Sequence, residues 1–315
     1  MSARSFRLCA VLGLLMCVSE AWAQCSPLSF DQKSIAALKQ QAASGDAAAE
    51  CELGWLYDTG LAVGLGVPQD FTQAALWLRK AAVQGDPDAE YNLGGLYHNG
   101  EGVLQDDAQA AVWWRKAAEQ GNSPAQDALG TLYATGQGVT LDDAEAANWF
   151  RRAARQGVDN SQLQLASLYE LGRGVPRDSR QAAEWYGKAA AQGDLVAQYS
   201  LGLFYRDGQG VPQNYSQAAY WLQRAATGDY ALAQWCLGDL YEQGYGVPQD
   251  YAEAYFWLDL AAAEEPKDGA TNSAEIVNKI MEDRGRVAGR LTPTDLSRVQ
   301  ERARKWFEAH PPKAK

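Results

Sequence analysis

Few residues in this sequence are of the kind that carries out catalysis. The chain of 315 residues has two histidines, His98 and His310, although histidine is the most frequent general acid or base in enzymes. It contains no His-Glu-x-x-His motif, no Cys/His spacing typical of zinc, no Gly-x-Ser-x-Gly turn and no serine with a lysine three residues later. The sequence therefore predicts no enzyme activity, no catalytic residue, no cofactor and no metal.

Carboxylates are abundant, and some of them recur at a fixed spacing. An Asp or Asn is followed three residues later by Gln or Glu at six places, which begin at Asp70, Asp106, Asp142, Asp178, Asn214 and Asp250. Regularly placed carboxylates could serve as acid and base catalysts. The three-residue offset is, however, typical of a helix start, where the first side chain accepts a bond from the third N–H and the second side chain bonds back. We therefore interpret these residues as helix caps that form capping boxes.

The same period governs the apolar residues. Tryptophans recur every 36 residues, at Trp77, Trp113, Trp149, Trp185, Trp221 and Trp257. A Leu-Gly or Leu-Ala pair recurs with them, and only its first interval is longer, at 40 residues. A period of 20–50 residues indicates stacked structural repeats. We interpret the recurring tryptophans as core residues and not as an aromatic binding box.

Each repeat reads as helix A, a loop and helix B. In the fifth copy Ala197, Leu201, Phe204 and Tyr205 form one apolar stripe at helical spacing. The glycine in the middle of helix A costs about 1 kcal/mol relative to alanine, which predicts that another helix approaches it closely. Residues of the N-cap type precede helix A at Asp46, Asp86, Asn122, Asp194 and Asp229. The Gly-x-Gly-Val loop has no following Lys-Ser/Thr and is interpreted as a turn, not as a phosphate loop.

The 36-residue unit, A-x-x-x-L-G-x-x-Y-x-x-G-x-G-V-x-x-D/N-x-x-x-A-x-x-W-x-x-x-A/L-A, resembles the Sel-one-like repeat (SLR) family, a relative of the tetratricopeptide repeats. The resemblance covers residues 46–264 in six copies. It implies an all-α fold, a right-handed α/α solenoid of six helix pairs with capping helices at both ends, whose A helices line a concave face. It also implies a scaffold or adaptor of envelope, secretion or signalling assemblies without catalysis of its own.

The segments outside the repeats have predictions of their own. Residues 1–23 are typical of a signal peptide, with Arg4 and Arg7 before an apolar stretch of 11 residues and Ala21-Trp22-Ala23 as the cleavage site. The protein is then periplasmic or secreted, with no integral membrane span, since a span needs about 20 apolar residues. An uncleaved anchor, or a lipid on Cys25, stays open. Residues 24–45 and 265–315 are predicted to form terminal caps, with helices over 29–43, 272–287 and 293–310.

Cysteine use and charge restrict the possible partners. After the signal, Cys25, Cys51 and Cys236 remain. A Cys25–Cys51 disulfide is one alternative, and Cys51 and Cys236 as small apolar helix residues is the other. The net charge of −11 predicts no binding to nucleic acid and no attraction to an anionic membrane, because both require clustered Lys and Arg. Basic partners stay open.

The residues that vary between repeats are the candidates for binding. On helix A, positions that avoid the core stripe fall in rows, and one of these, the third row, reads Asp58, His98, Ala134, Glu170, Arg206 and Glu242. The large or charged members that we predict to contact a protein or peptide partner are Trp55, Tyr91, Leu163, Tyr199, Leu203, Arg206 and Trp235. The alternative is that these side chains form the edge of the core between neighbouring A helices.

Three functions are compatible with these features. The one we favour is a non-catalytic scaffold of the bacterial cell envelope that binds a protein or peptide on the helix-A face. The second is a cell-wall-related hydrolase, because a β-lactamase-like activity has been proposed in the SLR family. The third is a passive structural spacer.

Overall fold

The computed structural model describes residues 32–263 and 273–310, and all regular elements in these ranges are helices. The predicted signal peptide, Cys25 and the tail after residue 310 lie outside the described residues. The α-helices are α1 (Gln32–Ala43), α2 (Ala47–Thr59), α3 (Phe71–Val83), α4 (Pro87–Asn99), α5 (Asp107–Glu119), α6 (Ser123–Thr135), α7 (Asp143–Arg155), α8 (Asp159–Leu171), α9 (Ser179–Ala191), α10 (Leu195–Asp207), α11 (Tyr215–Thr227), α12 (Ala231–Gln243), α13 (Tyr251–Ala263), α14 (Ser273–Ala288) and α15 (Pro293–Ala309).

The chain divides into two compact units after Val158. The first unit holds α1 and three helix pairs, α2–α3, α4–α5 and α6–α7, and the second holds the pairs α8–α9, α10–α11 and α12–α13 followed by α14 and α15. Within each unit, helix A packs against its own helix B, and helix B packs against the next helix A. This is the predicted arrangement of an α/α solenoid. No helix in the described ranges is long and apolar enough to cross a membrane.

The glycine of helix A is explained by the helix that crosses it. A Cβ atom built on Gly94 would lie 2.4 Å from Cδ1 of Trp114 on helix B, and one on Gly54 would lie 2.7 Å from Cγ of Leu78. Both distances are shorter than a side chain tolerates, so the predicted close approach is confirmed. The fourth repeat has Ala166 at this place, and that alanine is fully buried.

The predicted caps of helix B are confirmed in all six repeats. The oxygen of each Asp or Asn accepts a hydrogen bond from the N–H three residues later, for example from Gln73 to Asp70 at 3.0 Å. The returning half of the predicted capping box is wrong in its acceptor, because the N–H of the cap residue does not donate to the Gln or Glu side chain. The N–H of Asp70 donates to the carbonyl of Tyr57 in helix A at 2.8 Å, and the equivalent bond is present in the other repeats. The cap therefore also joins helix B to its own helix A.

One predicted cap of helix A is wrong. Asp46, Asp86, Asn122 and Asp194 cap their helices, but α12 begins after Tyr230, which makes no side-chain cap bond. Asp229 instead has φ +61° and stands where the other repeats have a glycine such as Gly193. The fifth repeat keeps the 36-residue spacing, but its Gly228-Asp229 pair stands one position early, so Asp229 falls at the left-handed position and Tyr230 occupies the cap position.

The loop glycines act at two different places. The first closes helix A in the left-handed conformation, as at Gly100 with φ +74°. The second, Gly102, has φ +68°, and a Cβ on it would lie 2.1 Å from the backbone oxygen of Phe71 in the preceding helix B. The turn interpretation is therefore confirmed, and the loop also contacts the neighbouring repeat. In the first repeat the four extra residues include a 3-10 turn, Val63–Leu65.

The recurring tryptophans belong to the core, as predicted. Trp149, Trp185 and Trp257 are buried, while Trp77, Trp113 and Trp221 are half-buried. Along helix B a basic side chain covers several of these rings, with Lys80 3.7 Å from the ring centre of Trp77 and Lys188 3.8 Å from that of Trp185. A cation over an indole face is favourable because the ring face carries negative potential.

The C-terminal helices extend the core of the second unit. The helices predicted over 272–287 and 293–310 are present as α14 and α15, and both pack against α13. Val287, Val299 and Ala303 are buried in one apolar cluster with residues of α11, α12 and α13. Thr292 caps α15 by accepting a bond from the N–H of Asp295 at 3.1 Å.

Candidate partner-binding surface

The A helices of the first unit differ in charge from the B helices beside them. Every Lys and Arg between residues 46 and 158 lies on α3, α5 or α7. The A helices α2, α4 and α6 carry no Lys or Arg, and their carboxylates are Glu50, Glu52, Asp58, Asp88, Glu90 and Asp127. The helix-A layer of this unit is therefore anionic, whereas the helix-B layer holds the cations.

All seven residues predicted to bind a partner are half-buried. In the first unit, Trp55 packs against the apolar cluster that includes Leu53 and Leu56. Tyr91 packs against a different cluster, which includes Leu129 and Leu132. The structure therefore gives each of these rings one face on the core, and it does not bring the two rings into one cluster.

In the second unit, Tyr199 and Trp235 pack against the same apolar cluster. The ring of Tyr199 lies 5.2 Å from that of Tyr230, centre to centre. Burial raises the pKa of Tyr199, and its neighbour Cys236 adds to the increase. Burial likewise raises the pKa of the Cys236 thiol to about 11. Both groups are therefore neutral at pH 7, and the two aromatic rings contribute apolar surface.

The remaining predicted residues of this unit are an arginine and two leucines. Arg206 makes two hydrogen bonds to its neighbour Asp207, at 2.7 and 3.0 Å. These bonds raise the pKa of Arg206, so the guanidinium stays charged. Leu163 and Leu203 are half-buried on α8 and α10. Of the seven residues, Tyr199 and Trp235 share one apolar cluster, and the charge of Arg206 lies close enough to Tyr199 to affect its pKa.

Two residues of α14, Asp283 and Arg286, contact helix-A residues and were not predicted from the sequence. The indole N–H of Trp235 donates to Asp283 of α14 at 2.9 Å, and Arg286 donates to both carboxylate oxygens of Glu242, at 2.9 and 2.6 Å. Burial alone would raise the pKa of Asp283, but bonds from Trp235 and Arg286 hold it below the usual range. The repeat pattern ends before α14, so no spacing in the sequence pointed to these contacts.

Cysteine and histidine chemistry adds little to the surface. Cys51 and Cys236 are free thiols, and Cys51 is buried against the core of α3 and α4. Nδ1 of His98 lies 2.6 Å from Asp107, and the imidazole ring is 5.4 Å from the indole of Trp114. His98 has no hydrogen bond to a serine, threonine or cysteine in the described ranges. Within these ranges, no group of three or more His, Cys, Asp or Glu could hold a metal ion.

The repeat motif decides the family. The model of the Sel1 repeat matches residues 47–86, 87–122, 123–158, 159–194, 195–230, 231–265 and 288–309. The chain belongs to the Sel1 repeat family. Sel1 repeat proteins generally mediate protein–protein interactions and are generally not enzymes. The first six matches correspond to the six predicted repeats, and the short seventh match covers α15, which sequence analysis had interpreted as part of a cap.

Two solved structures of Sel1 repeat proteins resemble this chain. A protective antigen of uropathogenic Escherichia coli strains with an SLR fold is 39% identical over 88% of this chain, with a TM-score of 0.71. The match covers 56% of that protein, so the chain spans little more than half of the antigen's length. A Sel1 repeat protein from Oxalobacter formigenes is 33% identical over 73% of this chain and 93% of its own, with a TM-score of 0.65. No curated protein matches the chain.

Proposed function

We propose that the protein is a non-catalytic scaffold or adaptor of the bacterial cell envelope, which binds a protein or peptide on its helix-A face. The proposed location is the periplasm or the exterior, after cleavage of a signal peptide near Ala23. One observation carries the proposal. The residues that vary between repeats on helix A include half-buried rings and aliphatic side chains, set beside Leu and Gly positions that hardly vary.

Half-buried aromatic residues are suited to binding. Each ring is held on one side by the core, so it loses little conformational freedom when a partner covers its other side. Rings held in this way are enriched among the residues that dominate binding energy. A peptide in such a groove would be held by a few anchors of the kind that Tyr199, Leu203 and Trp235 provide.

A site-specific crosslinking experiment in intact cells tests the proposal. A photoreactive phenylalanine analogue placed at Tyr199 should give a single dominant protein adduct, identified by mass spectrometry. The same analogue placed at Tyr220, an exposed ring on helix B, should give none. Equal adducts from both positions would contradict a helix-A binding face, and no adduct from either would favour the passive spacer.

Binding by purified proteins completes the test. A triple variant with Tyr199, Leu203 and Trp235 changed to Ala should bind the crosslinked partner at least about 100-fold more weakly, since buried anchors each contribute about 1–2 kcal/mol or more. Leu76, Val112 and Tyr220 are about half exposed at equivalent positions of three B helices. Changing these three residues to Ala is the matched control and should leave the affinity unchanged. Circular dichroism verifies that both variants stay helical.

A further inference from the structure

The third row of helix A contains one charged residue that the described chain leaves without a partner. His98 contacts Asp107, Glu170 accepts a bond from Tyr186, Arg206 contacts Asp207 and Glu242 contacts Arg286. The member in the first repeat is Asp58. No hydrogen bond or ion pair to its carboxylate is present in the described ranges, although its backbone carbonyl accepts a bond from Gln69 at 2.8 Å.

The surroundings of Asp58 are unfavourable for a negative charge. The residue is 7% exposed and lies in the last turn of α2, where the partial charge of the helix end is also negative. Burial raises the pKa of Asp58 to about 6, and the nearby carboxylate of Glu101 adds to the increase. The carboxylate oxygens of Asp58 are not among the enclosed atoms that lack a hydrogen-bond partner. The small exposed fraction of Asp58 therefore includes its carboxylate.

The last repeat shows how a carboxylate in this row is satisfied. Glu242 is 8% exposed, which is nearly the same burial as that of Asp58. There the guanidinium of Arg286, which α14 carries, donates to both oxygens of Glu242 and also to Asp283 at 2.5 Å. The planar guanidinium matches a carboxylate with two parallel bonds, which makes the pair strong and directional.

We infer that Asp58 is the receptor for an arginine side chain supplied by the partner protein, in the manner in which Glu242 receives Arg286. The inference rests on the proposed helix-A binding face and specifies the chemistry of the partner. Trp55 lies one turn before Asp58 on α2, on the same side of the helix, and offers an indole for the guanidinium. The A helices of this unit carry no Lys or Arg that could compete for the site.

An arginine fits these features better than a metal ion does. In the described part of the chain, no cluster of three or more acidic, His or Cys side chains could coordinate a cation. Calcium takes six to eight oxygen ligands, which Asp58 and Glu101 alone do not supply. The guanidinium needs only one accessible carboxylate and a flat neighbouring surface.

A titration followed by NMR tests the inference. The protein, labelled with ¹⁵N at its tryptophan side chains, is titrated with N-acetyl-arginine methylamide, and the Trp55 resonance is assigned with a Trp55→Phe variant. We expect a saturable shift of the Trp55 indole signal with a Kd in the millimolar range. The citrulline analogue, which has the same shape without the charge, should give no saturable shift. A response to calcium chloride alone at lower concentration would overturn the inference in favour of a metal.

Variants separate the local site from the overall negative charge. Asp58→Asn should weaken arginine binding at least about 10-fold. Asp142→Asn removes one charge in the same unit at an exposed cap, where Asn caps as well as Asp, and should leave binding within about two-fold. If Asp58→Asn and Asp142→Asn bind alike, the inference is wrong.

The crosslinked partner gives a second readout for the same variants. A partner that binds the wild type and the Asp58→Asn variant equally well would refute the arginine receptor but leave the proposed scaffold intact. Loss of partner binding in Asp58→Asn, with no loss in Asp142→Asn, supports both proposals. If no partner binds the helix-A face at all, the proposed function fails independently of the arginine titration.

Discussion

The first and last full repeats have the same framework but different surroundings for one carboxylate. Gly54 and Gly238 lie against Leu78 and Leu258 at nearly equal distances. In the third row, Asp58 and Glu242 are buried to nearly the same degree, yet Glu242 has Arg286 as its partner and Asp58 has no partner in the described chain. Residues that build the fold thus make the same contacts in both repeats, whereas equivalent residues on the helix-A face have different partners.

The largest effect is expected where the arginine of the last repeat is removed. Arg286→Ala leaves Glu242 as a buried carboxylate without its cation and Asp283 with the longer contact to Lys279 at 3.5 Å, which should lower the free energy of unfolding by about 3 kcal/mol. Urea unfolding followed by circular dichroism measures the change. Adding Glu242→Gln should recover part of the loss, because a neutral amide is cheaper to bury. An Arg286→Ala variant as stable as the wild type would show that the pair does not hold α14 in place.

The second prediction tests whether the framework is equal in the two repeats. A Cβ on Gly54 would lie 2.7 Å from Cγ of Leu78, and one on Gly238 would lie 2.8 Å from Cγ of Leu258. Overpacking of this kind costs about 1–3 kcal/mol, so Gly54→Ala and Gly238→Ala should each destabilise the protein by about 2 kcal/mol. Gly95→Ala is the control, since a Cβ there meets nothing within 4 Å and should stabilise helix α4 by up to about 1 kcal/mol. Clearly unequal losses for the first two variants would show that the frameworks of the two repeats are not equivalent.

The smallest expected effect concerns Asp58, whose replacement should raise the free energy of unfolding and not lower it. The pKa of Asp58 is raised from 3.8 to about 6 in the folded protein, so the folded state binds its proton more tightly than the unfolded state does. The contribution of Asp58 to stability therefore falls as the pH rises from about 4 to 6, and that loss is complete above this range. Asp58→Asn should raise the free energy of unfolding by about 1–2 kcal/mol at pH 8.

The dependence on pH distinguishes this effect from a general gain in stability. The advantage of Asp58→Asn over the wild type should disappear near pH 4, which thermal unfolding at several pH values would show. Glu242→Gln should instead destabilise the protein at pH 8, because it weakens the pairing with Arg286. If Asp58→Asn were less stable than the wild type at pH 8, the carboxylate of Asp58 would have a stabilising partner. Asp58 and Glu242 would then not differ in the way described.

The repeated elements could be predicted from the sequence because one physical requirement recurs in each copy. The caps of helix B and the close contact at the helix-A glycine were predicted from spacing alone, and the structure confirms both. Asp229 was predicted wrongly because the Gly228-Asp229 pair stands one position early within an unchanged 36-residue spacing, which places Asp229 in the left-handed turn and not at the cap. Counting 36 residues on from Gly193 gives Asp229, which predicts the left-handed turn there, and Tyr230 then follows at the cap position.

The candidate surface could be predicted only in part. The rows of helix A follow from helical geometry, but the partner of each charged residue depends on contacts that are distant in the chain. Arg286 reaches Glu242 across 44 residues, and no pattern joins them. The unpaired state of Asp58 could not be predicted for the same reason, since it is known only when the neighbours of all six row members are known.

The second glycine of each loop has a consequence for how such a chain can change over evolution. Gly102, Gly138, Gly210 and Gly246 press against backbone atoms of the preceding repeat, at Phe71, Asp107, Ser179 and Tyr215 respectively. The residues in contact range from aromatic rings to a carboxylate and a hydroxyl, so the junction depends on the main chain and not on side-chain identity. A 36-residue segment could therefore be duplicated, deleted or exchanged in frame without redesigning its junctions. Repeat number and surface chemistry are then free to evolve separately.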